Sequence, residues 1–179
     1  MSIFTNSASR SKEEAAEYTA AVLGLLNDKR PLEVLSKTPA ALGKAIKGLT
    51  PKKLRTREMP GKWSIAQVLQ HLADSDLVYG WRLRLIFSHD RPAITGYDQD
   101  AWAVRLDYEH ADPKQALADF TALRAANVRL LKKATPADLT RVGVHAERGE
   151  ESIGHLMKLY AGHDILHLNQ IARIKNALT

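Results

Sequence analysis

The C-terminal segment carries an apolar stripe at steps of three and four, the spacing of one face of an α-helix. The stripe consists of Leu156, Tyr160, His163, His167, Ile171, Ile174 and Leu178. Residues four apart on a helix point the same way, so His163 and His167 occupy two positions where the pattern calls for apolar side chains. A buried polar ring needs a partner. A metal ion shared by both rings would be one such partner, and hydrogen bonds to neighbouring helices are the alternative.

The rest of the chain also shows helical spacing, and no segment has the strict alternation of a strand. We expect four long helices over residues 11–26, 65–88, 112–135 and 152–178. Two shorter helical pieces are expected over residues 31–36 and 39–47, on the surface of the bundle or continuing its first arm. Residues 89–111 and 136–151 are predicted to be irregular connections.

Residues that favour helix starts support these boundaries. The predicted caps are Ser11 with Glu14, Thr38 before Pro39, Ser64 with Gln67, Asp112 before Pro113, and Ser152. The fold class that follows is all-α, a four-helix bundle with one or two long connections. A chain of 179 residues suits one domain. We assign residues 11–179 to that domain and residues 1–10 to an N-terminal tail.

Composition narrows the functional classes. The chain has no cysteine, so any metal site must use histidine, carboxylates or water. No apolar run is long enough for a signal peptide or a membrane span, so we expect a cytoplasmic protein without a membrane partner. The net charge is +6, and the basic residues are densest over 44–57. Because no aromatic residue interleaves there, we expect a solvated loop and no nucleic-acid partner, although nucleic-acid binding stays a third functional hypothesis.

A third histidine, His71, lies on the predicted 65–88 helix, at the edge of its apolar face. In bundles, metal sites form from side chains that project inward from facing helices. Three protein ligands plus water is the arrangement of a catalytic zinc site. Imidazole ligands suit zinc, nickel, iron or copper, so the ligand type does not choose the metal.

Two phrases of the sequence resemble the hallmarks of the DinB-like superfamily of DinB/YfiT-like metalloproteins. They are the residues 60–74, PGKWSIAQVLQHLAD, and the residues 161–171, AGHDILHLNQI. Residues 97–102, YDQDAW, also resemble one branch of it. The resemblance covers residues 11–178.

This resemblance implies a four-helix bundle that often forms homodimers. It also implies one divalent metal ion, commonly zinc or nickel, held by His71, His163 and His167. Characterised relatives include transferases and isomerases that use a low-molecular-weight thiol, and amidase-like hydrolases. The expected function is therefore that of a metal-dependent enzyme, a thiol transferase or isomerase or a hydrolase, acting on a small molecule. A non-catalytic metal-binding stress-response protein is the alternative.

Further candidate residues surround this predicted centre. Arg82, with Arg84, could attract the carboxylates of a small-molecule thiol, or both could be ordinary exposed arginines. His145, in a connection that looks flexible, could reach the metal as an acid or base. Asp164 could orient a ligand ring, as could Asp74, or it could act as a general base.

Overall fold

The structure is a computed structural model that describes residues 12–177. The tail 1–10, the Ser11 cap and Leu178 lie outside these residues. The helices are α1 Lys12–Gly24, α2 Pro31–Ile46, α3 Pro51–Arg55, α4 Ile65–Ser88, α5 Gln99–Arg105, α6 Pro113–Leu131, α7 Pro136–Thr140 and α8 Ile153–Ala177. The predicted starts of α4, α6 and α8 are confirmed, since Ser64, Asp112 and Ser152 each accept a hydrogen bond from a backbone N–H of the following helix. Within residues 12–177, no helix combines the length and apolar character needed to cross a membrane.

The predicted all-α four-helix bundle is confirmed, and its arms are α2, α4, α6 and α8. Helix α4 packs against α6 and α8, and α2 packs against the same two helices. The prediction that residues 11–26 form one of the long arms is wrong. Helix α2 takes that place, and α1 packs on α8.

Helix α2 is continuous, which corrects the prediction of two short pieces separated by a cap. Thr38 lies inside the helix, where its hydroxyl donates to the carbonyl of Val34 at 2.9 Å. Pro39 has no N–H to give to the carbonyl of Leu35. That carbonyl instead accepts a hydrogen bond from Nη1 of Arg124 on α6, at 3.1 Å. A side chain from a neighbouring helix thus replaces the donor that proline removes.

A small three-stranded sheet closes one side of the bundle, where the sequence predicted irregular connections. Its strands are β1 Ala93–Ile94, β2 Val142–His145 and β3 Gly149–Ser152. Strand β2 is central, parallel to β1 and antiparallel to β3. A Cβ at Gly143 would lie 2.3 Å from the side chain of Ile94, so only glycine allows this close approach. The basic stretch is also not simply a loop, since Lys44 lies in the last turn of α2 and Lys52, Lys53 and Arg55 lie in α3.

Two apolar clusters fill the bundle, with a layer of buried polar residues between them. The first includes Leu35, Tyr79, Leu83, Ile86, Leu131, Ile153 and Leu156. The second includes Leu42, Ile65, Leu69, Leu72, Phe120, Ile171 and Ile174. Along the chain, α4 and α6 pass from the second cluster to the first, whereas α2 and α8 pass from the first to the second. Helices α4 and α6 therefore run in one direction and α2 and α8 in the other. All the histidines of the candidate site belong to the polar layer.

Candidate metal centre

Three histidines converge within the polar layer. His71 comes from α4, and His163 and His167 come from successive turns of α8. The Nε2 atom of His163 lies 3.1 Å from Nε2 of His71 and 3.0 Å from Nε2 of His167. One nitrogen from each ring lies within 4.8 Å of the others. The rings of His71 and His167 are buried and that of His163 is half-buried.

The three nitrogens fit a shared cation better than a set of hydrogen bonds. A neutral ring nitrogen carries either a proton or a lone pair, so Nε2 of His163 cannot make a well-directed hydrogen bond to both neighbours. Two nitrogens bound to one tetrahedral zinc ion lie roughly 3.3 Å apart, given Zn–N bonds of about 2.0–2.1 Å. The two distances from Nε2 of His163, 3.1 and 3.0 Å, are close to that value. The donor set therefore suits a divalent metal ion.

All three rings are held in the neutral form that a metal requires. Burial, and then the neighbouring histidines, lowers the pKa of His71 and of His163 well below the ordinary value. Burial lowers the pKa of His167 to about 4, although Gln170 and Asp164 act in the opposite direction. The lone pairs are consequently free at neutral pH.

Gln170 fixes the orientation of one ligand ring. Its side-chain oxygen accepts a hydrogen bond from Nδ1 of His167 at 2.8 Å. With the proton on Nδ1, the lone pair of His167 is on Nε2, the atom that faces the other histidines. The ring of His71 packs beside Trp63, with centroids 5.0 Å apart, and its buried Nδ1 has no partner within residues 12–177.

A solvent-open pocket borders the histidine cluster. His71 and His163 line it, together with three phenols from Tyr18, Tyr97 and Tyr160. Burial raises the pKa of Tyr18 to about 12 and also raises that of Tyr97, so both phenols stay protonated at neutral pH. A small molecule in this pocket can therefore reach the cluster without entering the apolar core.

Arg82 lines the same pocket and is only 5% exposed. Its Nη2 donates to the carbonyl of Thr95 at 2.7 Å, and its Nη1 donates to the hydroxyl of Tyr160 at 3.3 Å. The candidate residue beside it, Arg84, is exposed and donates to the carbonyl of Gly80 and to Asn127. The two arginines therefore differ, since Arg82 faces the pocket and Arg84 contacts α6.

His145 lies at the end of strand β2, so it is not in a flexible connection as the sequence predicted. It is 1% exposed. The backbone N–H groups of Glu147 and Arg148 point to its Nδ1, at 3.2 and 3.4 Å, and its Nε2 lies 3.5 Å from Nη2 of Arg82. Burial, followed by the charges of Arg148 and Arg82, lowers the pKa of His145 to about 4.

The two candidate carboxylates have other partners than the ligand rings. Asp164 is fully buried, and both of its oxygens accept hydrogen bonds from Arg124. Asp74 accepts a hydrogen bond from the hydroxyl of Tyr108 at 2.6 Å and from Gln70. Their proposed roles at the metal centre stay predictions.

Arg124 is the main residue of the polar layer that the sequence prediction missed. Only 2% exposed, it joins all four arms of the bundle from its place on α6. Its Nε donates to Asp76 on α4 at 2.8 Å, its Nη2 to Asp164 on α8 at 2.9 Å, and its Nη1 to the carbonyl of Leu35 on α2. Since Asp164 follows His163 directly in the chain, this network holds the turn of α8 that carries the ligands.

Comparisons with known proteins agree with this architecture. The family model described as the DinB superfamily matches residues 35–171. YfiT from Bacillus subtilis is 32% identical over 146 residues, which is 79% of this chain and 82% of YfiT. A protein from Oceanobacillus iheyensis is 33% identical over 136 residues, 76% of this chain and 78% of that protein. Both are named as candidate metal-dependent hydrolases.

A solved structure of YfiT has the same fold. It matches with a TM-score of 0.78 and 27% identity, covering 98% of this chain and 93% of that chain. YfiT is described there as a probable metal-dependent hydrolase with an unusual four-helix bundle topology.

Proposed function

We propose that this chain, which belongs to the DinB superfamily, is a metal-dependent enzyme of the hydrolase type that acts on a small molecule. The observation that carries the proposal is the convergence of three neutral imidazoles at the wall of an open pocket. The names of the relatives support the hydrolase class. The family resemblance seen in the sequence is thereby confirmed, whereas the reaction is our inference.

The residues that would hold the ion are His71, His163 and His167. With three neutral ligands, a bound divalent ion supplies a nucleophile near neutral pH by lowering the pKa of a water or a thiol. We propose zinc or nickel, the metals that the family resemblance implies; three imidazoles without a thiolate accept both, although they would also accept iron or copper. Gln170 orients His167, and the tyrosines of the pocket would contact the substrate.

The other predicted catalytic residues have unequal support. Arg82 and His145 lie next to each other beside the pocket, which supports a role in binding substrate. Both carboxylate oxygens of Asp164 accept hydrogen bonds from Arg124, which favours a role in positioning His163 over that of a general base. We also propose a homodimer in the cytoplasm. The exposed pair Leu77 and Trp81, one turn apart on α4, supports the dimer.

Transfer of a low-molecular-weight thiol is the alternative reaction. The protein has no cysteine, so the sulfur nucleophile would have to enter the pocket as a substrate. A purely structural metal site is the alternative to catalysis. Structural zinc sites are closed by four protein ligands, whereas His71 and His163 border a pocket that leaves room for a further ligand.

Metal analysis of the purified protein tests the centre. We expect about one divalent ion per chain in the wild type, and loss of the ion in His71→Ala and in His163→Ala. The matched control is His110→Ala, because His110 is exposed and its ring pairs with Asp107, outside the histidine cluster. Equal metal content in all four proteins would refute the three-histidine centre.

Turnover assays of the metal-loaded protein distinguish hydrolysis from thiol transfer. Esters and amides should be tested with water alone and then with a panel of small thiols. Metal-dependent hydrolysis without an added thiol supports the proposal, and turnover only with a thiol supports transfer. Full metal occupancy without turnover in either series would favour the structural role.

A further inference from the structure

Arg82 is a buried cation whose partners carry no negative charge. Within residues 12–177, its guanidinium contacts a phenol, a backbone carbonyl and an imidazole. Its Nε–H is buried and has no hydrogen-bond partner among those residues. A buried charge without a counter-charge is costly, so native proteins pair such groups or give them a ligand. A water molecule would satisfy the free N–H but would bring no negative charge into contact with the guanidinium.

The contact between Arg82 and His145 also lacks an acceptor. Because two backbone N–H groups point to Nδ1 of His145, that nitrogen carries the lone pair and the ring proton is on Nε2. The Nε2–H group therefore lies 3.5 Å from Nη2 of Arg82, which is itself a donor. These two N–H donors face each other without an acceptor among the described residues. A ligand atom between them could accept a hydrogen bond from each.

The charged side chains near Arg82 in the described part of the chain do not form an ion pair with it, so an anionic ligand could bind there. Arg148 lines the same pocket, but both oxygens of Glu151 accept from it, at 2.7 and 2.9 Å. The half-buried Glu147 also borders the pocket, and with Glu151 it raises the pKa of Arg148 against the effect of burial, but no ion pair joins it to Arg82 within residues 12–177. Against the effect of burial, Arg148 and, to a smaller extent, Arg82 lower the pKa of Glu151. No carboxylate within residues 12–177, however, forms a direct ion pair with Arg82.

We propose that Arg82 and His145 form an oxyanion subsite beside the metal centre, which binds a carboxylate or phosphate group of the substrate. The proposal rests on the function proposed above and adds the chemical class of the substrate. The guanidinium fork suits both groups, since it presents parallel N–H donors to two oxygens. An anionic group bound there would anchor the substrate in the pocket whose wall carries His71 and His163. The lowered pKa of His145 agrees with this role, because a neutral ring keeps one donor and one acceptor in fixed places.

Calorimetric titration of the full-length protein tests the subsite. The probes are inorganic phosphate and, in a separate series, acetate, both at constant ionic strength. We expect saturable binding with one site per chain, weakened at least tenfold by Arg82→Gln. The matched control is Arg84→Gln, which removes an exposed arginine two residues along the same helix and should bind as the wild type does. The series that saturates at lower concentration distinguishes phosphate from carboxylate.

Two further variants keep the test decisive. The His71→Ala protein should bind the probe as well as the wild type does, so a failure of the metal centre is distinguishable from a failure of the subsite. If Arg82→Gln does not fold, Arg82→Lys keeps the charge without the fork and should bind several-fold more weakly than the wild type. Binding that is equal in all variants, or that is lost only in His71→Ala, would overturn the proposal.

Discussion

Replacing Arg124 tests whether the polar layer depends on this one cation. In Arg124→Met, the carboxylates of Asp76 and Asp164 lose their counter-charge and the carbonyl of Leu35 loses its donor. Removing one partner of a buried ion pair costs about 3–5 kcal/mol, and a lost hydrogen bond to a carbonyl adds about 1 kcal/mol. We therefore expect the free energy of unfolding at pH 7.5 to fall by about 4–6 kcal/mol. That loss approaches the whole stability of some domains.

The loss should depend on pH in a defined direction. Burial raises the pKa of Asp76 to about 6, against the opposing effect of Arg124. Without Arg124 the pKa of Asp76 rises further above its unfolded value, so the folded variant binds more protons than the unfolded chain. The variant then gains stability relative to the wild type as the pH falls through that raised pKa. Urea unfolding followed by circular dichroism at pH 7.5 and 5.5 measures the difference at each pH.

Two companion variants guard against a protein that does not fold. Arg124→Lys keeps the charge but loses the fork and the bond to Leu35, so a loss of about 1–3 kcal/mol is expected. Adding Asp76→Asn and Asp164→Asn to Arg124→Met removes the unpaired charges and should recover most of the stability. A loss below about 1 kcal/mol in Arg124→Met, or a difference that does not change with pH, would refute this account of the layer.

Two other predictions concern the histidine cluster. Gln170→Ala should weaken metal binding about 10–100-fold, because Nδ1 of His167 loses its hydrogen-bond acceptor. Competition with a chelating dye measures the metal affinity. An unchanged affinity would contradict the assigned tautomer of His167. The metal-free protein should lose stability as the pH falls below 6.5. Below pH 6.5 these histidines become protonated in the unfolded chain, whereas in the folded protein the lowered pKa values keep His71, His163 and His167 neutral. For His167 this difference extends down to about pH 4. The slope is about 1.4 kcal/mol per pH unit for each histidine, and flat urea midpoints between pH 6.5 and 5 would rule this out.

Helical spacing places His163 and His167 on one face, and the resemblance to the DinB-like superfamily adds His71; the structure brings the three rings together. His163 and His167 were recognised as polar side chains in apolar positions. The same test predicts burial of Asp76 and Arg124, and also of the candidate Asp164, since each lies three or four residues from buried side chains on both sides. The sequence prediction assigns no role to Asp76 or Arg124, although a cation and two carboxylates can satisfy one another inside a bundle.

Other features could not be predicted from local patterns. Strands β2 and β3 have four residues each, too few for alternation to be distinguished from chance. Proline normally ends a helix, and α2 continues through Pro39 with a donor from a residue far along the chain. The burial of Arg82 likewise depends on Thr95 and Tyr160, which only the folded chain brings to it.

The proline in α2 also determines how two arms of the bundle are aligned. In an uninterrupted helix every carbonyl of the middle turns already has its own amide partner, and a neighbouring helix can slide along it with little change in hydrogen bonding. Pro39 leaves a single vacant acceptor at one height of α2, and the arginine of α6 reaches that height. Displacement by one turn would bring the guanidinium against carbonyls that are already occupied. Proline usually disrupts a helix, but here Pro39 helps to set the position of α2 relative to α6 along their axes.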